Sequence, residues 1–306
     1  MTEIFKGFIL ALHNIEPRSY KNDCSMLYDN LTVSPEFLED FIISCKDKGF
    51  SFVTMKQFIH DKQNDDKIHK NIVITIDDGW KGVYTHGFPL FKKYGIPFIF
   101  YIATDLINNG FKNCKLPEMD GMDILCDYVE KNKKDPAEKK ETFEKIWKKF
   151  KYKKRLFFWK NGHDIMQSLF KEKIDFDYYK NKNCCTPSEL KEMAECDLCE
   201  IGGHTHNHVH LDRISKKNVI KQLEENSKYI EAFTGKRCSS FSYPYGHYNQ
   251  TVYEEVKKRY ANAVIVRRKV NKYMYCTTAS DDIYTMPRKF IDKDLKFDDL
   301  LNTVSL

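Results

Sequence analysis

Apolar residues recur along the chain in two rhythms: short unbroken runs, and longer stretches with apolar positions three or four apart. The runs predict strands buried on both faces, and the spaced stretches predict amphipathic helices packed against them. Phe5 to Leu12 is the first run, and His13-Asn14 follows directly at its end. Ser34 with Pro35 opens a helix that carries Phe37, Phe41, Ile42 and Cys45 at helical spacing. Ser51 to Thr54 reads as a short strand and Met55 to Asp61 as a short helix. The most regular run is Asn71 to Trp80, where Ile72, Val73, Ile74 and Ile76 lead into Asp77-Asp78-Gly79. Lys81 to Tyr94 then reads as a helix closed by Gly95, and Pro97 to Ala103 as another buried strand. Strand, helix and strand in this order predict parallel βαβ units.

The rhythm breaks from about 110 to 183. This region is dense in Lys and Glu, holds a helix-like stretch from Ala137 to Phe150, and shows no clear strand. It is read as a helical insertion at about 110–185, placed either to overhang the mouth of the strands or to serve as a solvated decoration. The pattern resumes with a helix at Ser188 to Ala194, a strand at Cys199 to Gly202 and a helix at Ser215 to Phe233. A strand at Cys238 to Ser242, a helix at Gln250 to Arg259, and strands at Ala263 to Val266 and Ile283 to Met286 complete the set. The expectation is one α/β domain over 1–306.

Composition narrows the class. The 42% hydrophobic and 14% aromatic content supplies a sizeable core. Fifty Lys and Arg against 44 Asp and Glu leave a formal charge of only +6, too dispersed for a nucleic-acid partner. No stretch approaches the ~18 apolar residues of a spanning helix, so no integral membrane segment is expected. Phe8 to Leu12 lacks a basic flank and a small-residue cleavage site, so no signal peptide is read there. Ten irregularly spaced cysteines suit reduced thiols and a cytoplasmic location. Cys184, Cys185, Cys196 and Cys199 could be taken for a zinc knot. Incidental thiols fit the adjacent pair and the intervening helical pattern better.

Two places carry chemistry. A strand buried on both faces should not end in adjacent carboxylates, because unpaired buried charge is costly. Asp77 and Asp78 therefore mark a strand's C-terminal mouth, where α/β enzymes place their reactive groups. The alternative is an Asp-Gly turn with Asp78 capping the next helix. Far downstream, Gly202-Gly203 is followed by His204, His206, His208 and His210. Neutral imidazole is the commonest transition-metal ligand, and a carboxylate joining two of them makes a two-His, one-carboxylate site with open positions. His204 with His208 is the favoured pair.

Thr75-Ile76-Asp77-Asp78-Gly79 resembles the first motif of the polysaccharide deacetylases, carbohydrate esterase family 4. His204-Thr205-His206-Asn207-His208 is similar to their second, His-(Ser/Thr)-x-x-His, and Phe241-Ser242-Tyr243-Pro244-Tyr245-Gly246 to their third. Order and separation match across about residues 70 to 290. The resemblance implies an irregular (β/α) barrel of mostly parallel strands, and removal of acetyl groups, chiefly N-acetyl, from a carbohydrate or glycan precursor. Hydrolysis of a non-sugar amide and a non-catalytic glycan-binding module are the alternatives, the last disfavoured by the intact Asp and His set.

The resemblance also implies roles. Asp78, His204 and His208 would hold one divalent transition metal, zinc first, with cobalt, nickel or manganese as alternatives. Asp77 would be the general base, and the Tyr245 main-chain N–H would face the oxyanion. His206 and His210 are left dispensable for the metal. Pro244, Tyr245, Trp80 and Arg288 are candidate substrate-binding residues, with Trp80, Tyr243 and Tyr245 as sugar-stacking faces and Trp80 fitting the core equally well. Two departures stand out: Ser242 replaces the family's usual Arg, and no His follows Arg288 where the general acid is usually placed. In a subgroup resembling the deacetylases of secreted poly-N-acetylglucosamine, that His is permuted to the N-terminal strand. His13 fits the arrangement, with His247 as its competitor, and Arg288 is a candidate for the missing cation.

Overall fold

A computed structural model describes residues 5–17, 31–64, 70–109, 118–156, 162–266, 276–278 and 281–291. In chain order, β1 (Phe5–Leu12) leads to a small parallel pair, β2 (Asn14–Ile15) and β3 (Thr32–Val33). Then come α1 (Pro35–Asp47), β4 (Ser51–Phe52), α2 (Met55–Asn64) and β5 (Asn71–Asp78). After β5 follow α3 (Phe88–Tyr94), β6 (Phe98–Ile102) and the helices α4 (Thr104–Asn109), α5 (Glu118–Asn132), α6 (Pro136–Leu156), α7 (Gly162–Gln167), α8 (Phe176–Asn183) and α9 (Pro187–Glu195). The chain returns to the sheet at β7 (Cys199–Gly203) and continues through α10 (Lys216–Thr234), β8 (Ser240–Ser242), α11 (Gln250–Arg259), β9 (Asn262–Val266), β10 (Cys276–Thr278) and β11 (Met286–Phe290).

Seven of these strands close a parallel barrel in the order β1, β11, β9, β8, β7, β6, β5, with β5 back against β1. The β1–β5 pairing runs from Gly7 opposite Asn71 to Leu12 opposite Ile76, and β5 then pairs with β6 up to Asp78 opposite Ile102. Strand parity sorts the side chains into two cores. Phe8, Leu10, Ile72, Ile74, Ile76, Phe98 and Phe100 face outward into a large cluster shared with the helices. Ile9, Val73, Ile99, Tyr101, Val264 and Met286 face the barrel interior, joined by Met55 and Phe58 of α2. Inward positions nearer the strand C-termini turn polar: Thr75, Asp77, Ser242 and Arg288 are all buried. The unbroken apolar runs thus do what they predict, with every residue of β5 buried.

Local signals mostly hold. The Ser34 side chain accepts the Phe37 N–H and caps α1, and α11 spans Gln250–Arg259 as the periodicity predicts. Two expectations need correction. The helix expected over Lys81 to Tyr94 contains a wide turn at Val83–Gly87, where the Phe88 N–H reaches back five residues to the Val83 carbonyl. Pro89 has no N–H to continue the regular ladder, and the widened turn accommodates it. The strand expected at Ile283 to Met286 begins only at Met286, because the Asp282 side chain and carbonyl accept the Tyr284 and Thr285 N–H groups in a turn. β10, antiparallel to the start of β1, was not foreseen.

Helices α5 to α8 contribute no strand among the described residues. Phe143, Trp147 and Phe150 of α6 stack in succession and belong to the same outer core as the barrel helices. The far end of this segment is stitched to the end of β5: Cys184 bridges Trp80, and the Cys185 N–H donates to the Gly79 carbonyl at 3.0 Å. Among the described residues, no helix is long and apolar enough to cross a membrane.

Candidate active site

The C-terminal ends of β1, β5, β7, β8 and β11 converge on one mouth. Neighbouring strand residues ordinarily point to opposite faces, yet Asp77 and Asp78 reach the same pocket. The reason is local backbone. Asp78 has φ +83° and Gly79 φ +123°, which breaks the strand's alternation just where it ends. As a result Asp77 Oδ2 and Asp78 Oδ1 lie 3.9 and 3.5 Å from one atom, His204 Nε2. The full divergence expected of neighbours is absent, although each carboxylate keeps different partners. Among the described residues, the non-glycine positive-φ positions are Asp78, Thr205, His208 and Tyr245, all in the three motifs. Such conformations persist only where the surroundings over-determine them, and they cluster at functional sites.

Asp78, His204 and His208 are buried and offer ligand atoms all within 4.8 Å of one another. His208 Nε2 stands 3.2 Å from Asp78 Oδ1. His204 Nδ1 donates to the Ser242 carbonyl at 2.7 Å, which leaves its Nε2 lone pair facing Asp78. Trp80 Nε1 donates to Asp78 Oδ2 at 3.1 Å, whereas buried Asp78 Oδ1 has no hydrogen-bond donor. An orphaned buried carboxylate oxygen between two imidazole nitrogens is the donor set of a divalent cation, so these residues fit the metal that the second motif implies. Burial pushes the Asp78 carboxyl up, but where His204 and His208 turn a protonated nitrogen to it they outweigh burial and hold the group well below the usual carboxylate range.

Asp77 is held by different hands. Arg288 forms a two-pronged pair with it, Nη1 to Oδ1 at 2.7 Å and Nη2 to Oδ2 at 2.6 Å. Ser242 Oγ donates to Asp77 Oδ2 at 3.2 Å and accepts from Arg288 Nη2 at 2.8 Å, while Arg288 Nη1 also donates to Thr75 Oγ1 at 3.0 Å. Beneath the guanidinium lies the Tyr101 ring, 5.7 Å away. Burial raises the Asp77 carboxyl, yet Arg288 and then His204 overcome that and leave it below its ordinary value. Arg288 is 0% exposed, so the expected substrate contact is corrected: it is an interior residue whose guanidinium occupies the space that small Ser242 leaves open.

His13 ends β1 at the same mouth. Its ring stacks on Phe290 with centroids 5.3 Å apart and planes 8° apart, and its buried Nδ1 has no hydrogen-bond partner. Burial lowers its pKa from the ordinary histidine value, the Asp78 and Asp77 charges oppose that, and Arg288 and His204 reinforce it. The ring is therefore neutral at rest near pH 7.

The remaining expectations divide. Trp80 is 2% exposed and Tyr243 1%, so neither is a sugar-stacking face; Trp80 is a core residue that also braces Asp78. Pro244 is buried under its turn, so its ring is not a substrate contact. Tyr245 is half-buried at the rim, edge-on to His208 at 4.8 Å and face-to-face with His210 at 3.8 Å. His206 and His210 lie outside the Asp78–His204–His208 group; His206 Nδ1 meets Thr104 Oγ1 at 2.9 Å. His247 is exposed. Sequence reasoning missed the Trp80 brace and the buried amide Asn226 behind His204, although Asn226 interrupts the apolar stripe Val219, Leu223, Ile230 of α10.

Residues 64–264 match the family profile described as polysaccharide deacetylase. The chain belongs to the polysaccharide deacetylase family. It is a carbohydrate deacetylase, a hydrolase with a candidate Asp-His-His metal site. The poly-beta-1,6-N-acetyl-D-glucosamine N-deacetylase of Staphylococcus aureus (strain MSSA476) is 22% identical over 263 residues, covering 81% of this chain and 68% of that protein. The Streptococcus pyogenes deacetylase PplD in complex with acetate shares the fold with a TM-score of 0.66 at 17% identity, over 100% of both chains. A de-N-acetylase from Aggregatibacter actinomycetemcomitans does so with a TM-score of 0.62 at 17% identity, over 97% of this chain and 99% of that one.

Proposed function

We propose that this deacetylase removes N-acetyl groups from an amino-sugar glycan, with zinc held by Asp78, His204 and His208. The observation that carries the reading is the pair of adjacent buried carboxylates with separate partners: Asp78 facing two imidazoles, Asp77 clamped by Arg288. A zinc ion held there supplies Lewis acidity, which polarises an acetyl carbonyl and makes a neighbouring water more acidic.

The chain's own residues do the rest. Arg288 and Ser242 hold the Asp77 carboxylate ionised and fixed, ready to accept a proton at Oδ1 or Oδ2. His13 is the group placed to deliver a proton to the departing nitrogen. Being neutral at rest, it must take that proton up within the cycle. The left-handed turn at Tyr245 presents the main-chain N–H expected to face the developing oxyanion, and its ring walls the pocket beside His208. The polymer named for the Staphylococcus aureus relative makes β-1,6-linked N-acetylglucosamine the first substrate class to test.

The test is acetate release by the zinc-loaded protein from β-1,6- and β-1,4-linked N-acetylglucosamine oligomers, O-acetylated sugars and simple acetamides. N-acetylglucosamine oligomers are expected to be turned over, each acetate matched by one new primary amine. Turnover confined to simple amides, or acetate without new amine, would refute the reading.

A further inference from the structure

The loop that carries both histidines is held from behind by one face of α10. Asn226 is fully buried there, in a row of positions otherwise filled by Val219, Leu223 and Ile230. Its Oδ1 accepts the His204 N–H at 3.1 Å, and its Nδ2 donates to the Thr205 carbonyl at 2.8 Å and the Ile102 carbonyl at 2.9 Å. The carboxamide thus grips the backbone on both sides of the strained turn, at Thr205, a β-branched residue with φ +64°. Space for it exists because residue 203 is glycine; a Cβ there would stand 2.7 Å from Asn226 Oδ1.

One helical turn earlier, Gln222 repeats the device on the other half of the loop. Its Oε1 accepts the Asn207 N–H at 2.8 Å and its Nε2 donates to Asn207 Oδ1 at 2.7 Å. Asn207 Nδ2 then donates to Asp105 Oδ2 at 2.8 Å, and the Asp105 N–H donates to the His206 carbonyl at 2.8 Å. The next residue is His208, with φ +50°. Residues four apart share one helix face, so both carboxamides address the loop together.

We infer that Asn226 and Gln222 are positioning residues that preorganise the His204–His208 loop, Asn226 setting His204 and Gln222 setting His208, so that metal affinity depends on both. Neither offers an atom to the metal. Both act through the backbone that aims the imidazoles, as outer partners of metal ligands do. Packing α10 onto the barrel does not need them, because Val219, Leu223 and Ile230 already bury its apolar face.

The inference rests on the metal site proposed above, and the test separates the two. Zinc affinity of the full chain is measured by competition with a chromophoric chelator, alongside the Tm of the metal-free protein. His204→Ala should abolish tight zinc binding, which establishes the site. Asn226→Asp keeps the shape and one acceptor but sets an oxygen against the Thr205 and Ile102 carbonyls; its zinc affinity should fall roughly 10- to 100-fold. Gln222→Ala, at a half-buried position, should fall about 10-fold and carries the test if Asn226→Asp does not fold. Val219→Ala, on the same helix but with no polar atom to hold the loop backbone, should lower Tm with zinc affinity unchanged. Wild-type zinc affinity in folded Asn226→Asp and Gln222→Ala overturns the inference while leaving the site intact. So does a Val219→Ala protein that loses zinc in proportion to its Tm. Wild-type protein binding zinc no better than His204→Ala removes site and inference together.

Discussion

Arg288→Ala is expected to lower stability at neutral pH by about 3–5 kcal/mol, the usual cost of leaving one partner of a buried ion pair alone. Activity should fall at least on the order of 100-fold with it, because the base is neither fixed nor held ionised. The cause is the position of Asp77, whose side chain is 4% exposed and whose carboxylate depends on Arg288 for both of its strongest contacts. With Arg288 present, the Asp77 carboxyl sits below its unfolded value. It therefore contributes stability above the unfolded pKa of about 3.9, and that contribution is lost as pH falls through the folded value. Without Arg288, the upward push of burial is opposed only by His204 and the smaller contribution of His13, so the ionised group loses most of its stabilising contribution at neutral pH. Urea unfolding of the metal-free proteins should show the largest gap between variant and wild type near pH 7, shrinking as pH drops below about 4. Arg288→Lys should rescue little, since an ammonium cannot reach both Asp77 oxygens, Thr75 and Ser242 at once. A gap independent of pH would mean that Arg288 stabilises by packing on Tyr101 alone.

His13→Ala is expected to reduce hydrolysis of an N-acetyl sugar roughly 100- to 10,000-fold, the range of a positioned general acid, with bound zinc unchanged. An amine is a poor leaving group unless protonated, whereas an activated aryl acetate departs unaided, so the loss on an aryl acetate should be far smaller. The structure favours His13 over His247: His13 is packed against Phe290 within the field of Asp77 and Asp78, whereas His247 is exposed. Steady-state rates of His13→Ala and His247→Ala on both substrates decide it. Equal losses on the two substrates, or a larger loss from His247→Ala, would reassign the proton donor.

What the sequence makes legible here is whatever is encoded as an apolar rhythm or a dense cluster of reactive side chains. β5 is readable because Ile72, Val73, Ile74 and Ile76 leave no polar face, and the histidines because four imidazoles in seven residues serve no packing purpose. β11 is misplaced because its inward position near the mouth holds Arg288, and an interior arginine breaks the apolar signal that marks a buried strand. For the same reason the sequence leaves Arg288 open as a substrate contact or as the missing cation, and only the closed barrel pairs it with Asp77. Trp80 reads equally as a stacking face or as core, because nothing local shows that Cys184 and Cys185 return from a segment a hundred residues away to meet it. The turn that brings both aspartates into one pocket is equally hidden. Aspartate tolerates positive φ better than most residues, but the Asp-Gly pair does not by itself say that Asp78 takes φ +83° and turns into the pocket; tertiary contacts select that.

The division of labour between Asp77 and Asp78 is tested most directly by zinc content and deacetylation of an N-acetylglucosamine oligomer, measured on Asp77→Asn and Asp78→Asn. Asp77→Asn should retain stoichiometric zinc and the wild-type fold while losing most deacetylation, since it removes a base and keeps every ligand. Asp78→Asn should release zinc under mild chelation as well as losing activity. An Asp77→Asn protein that loses zinc, beside an Asp78→Asn protein that keeps it, would contradict the assignment and exchange the two roles.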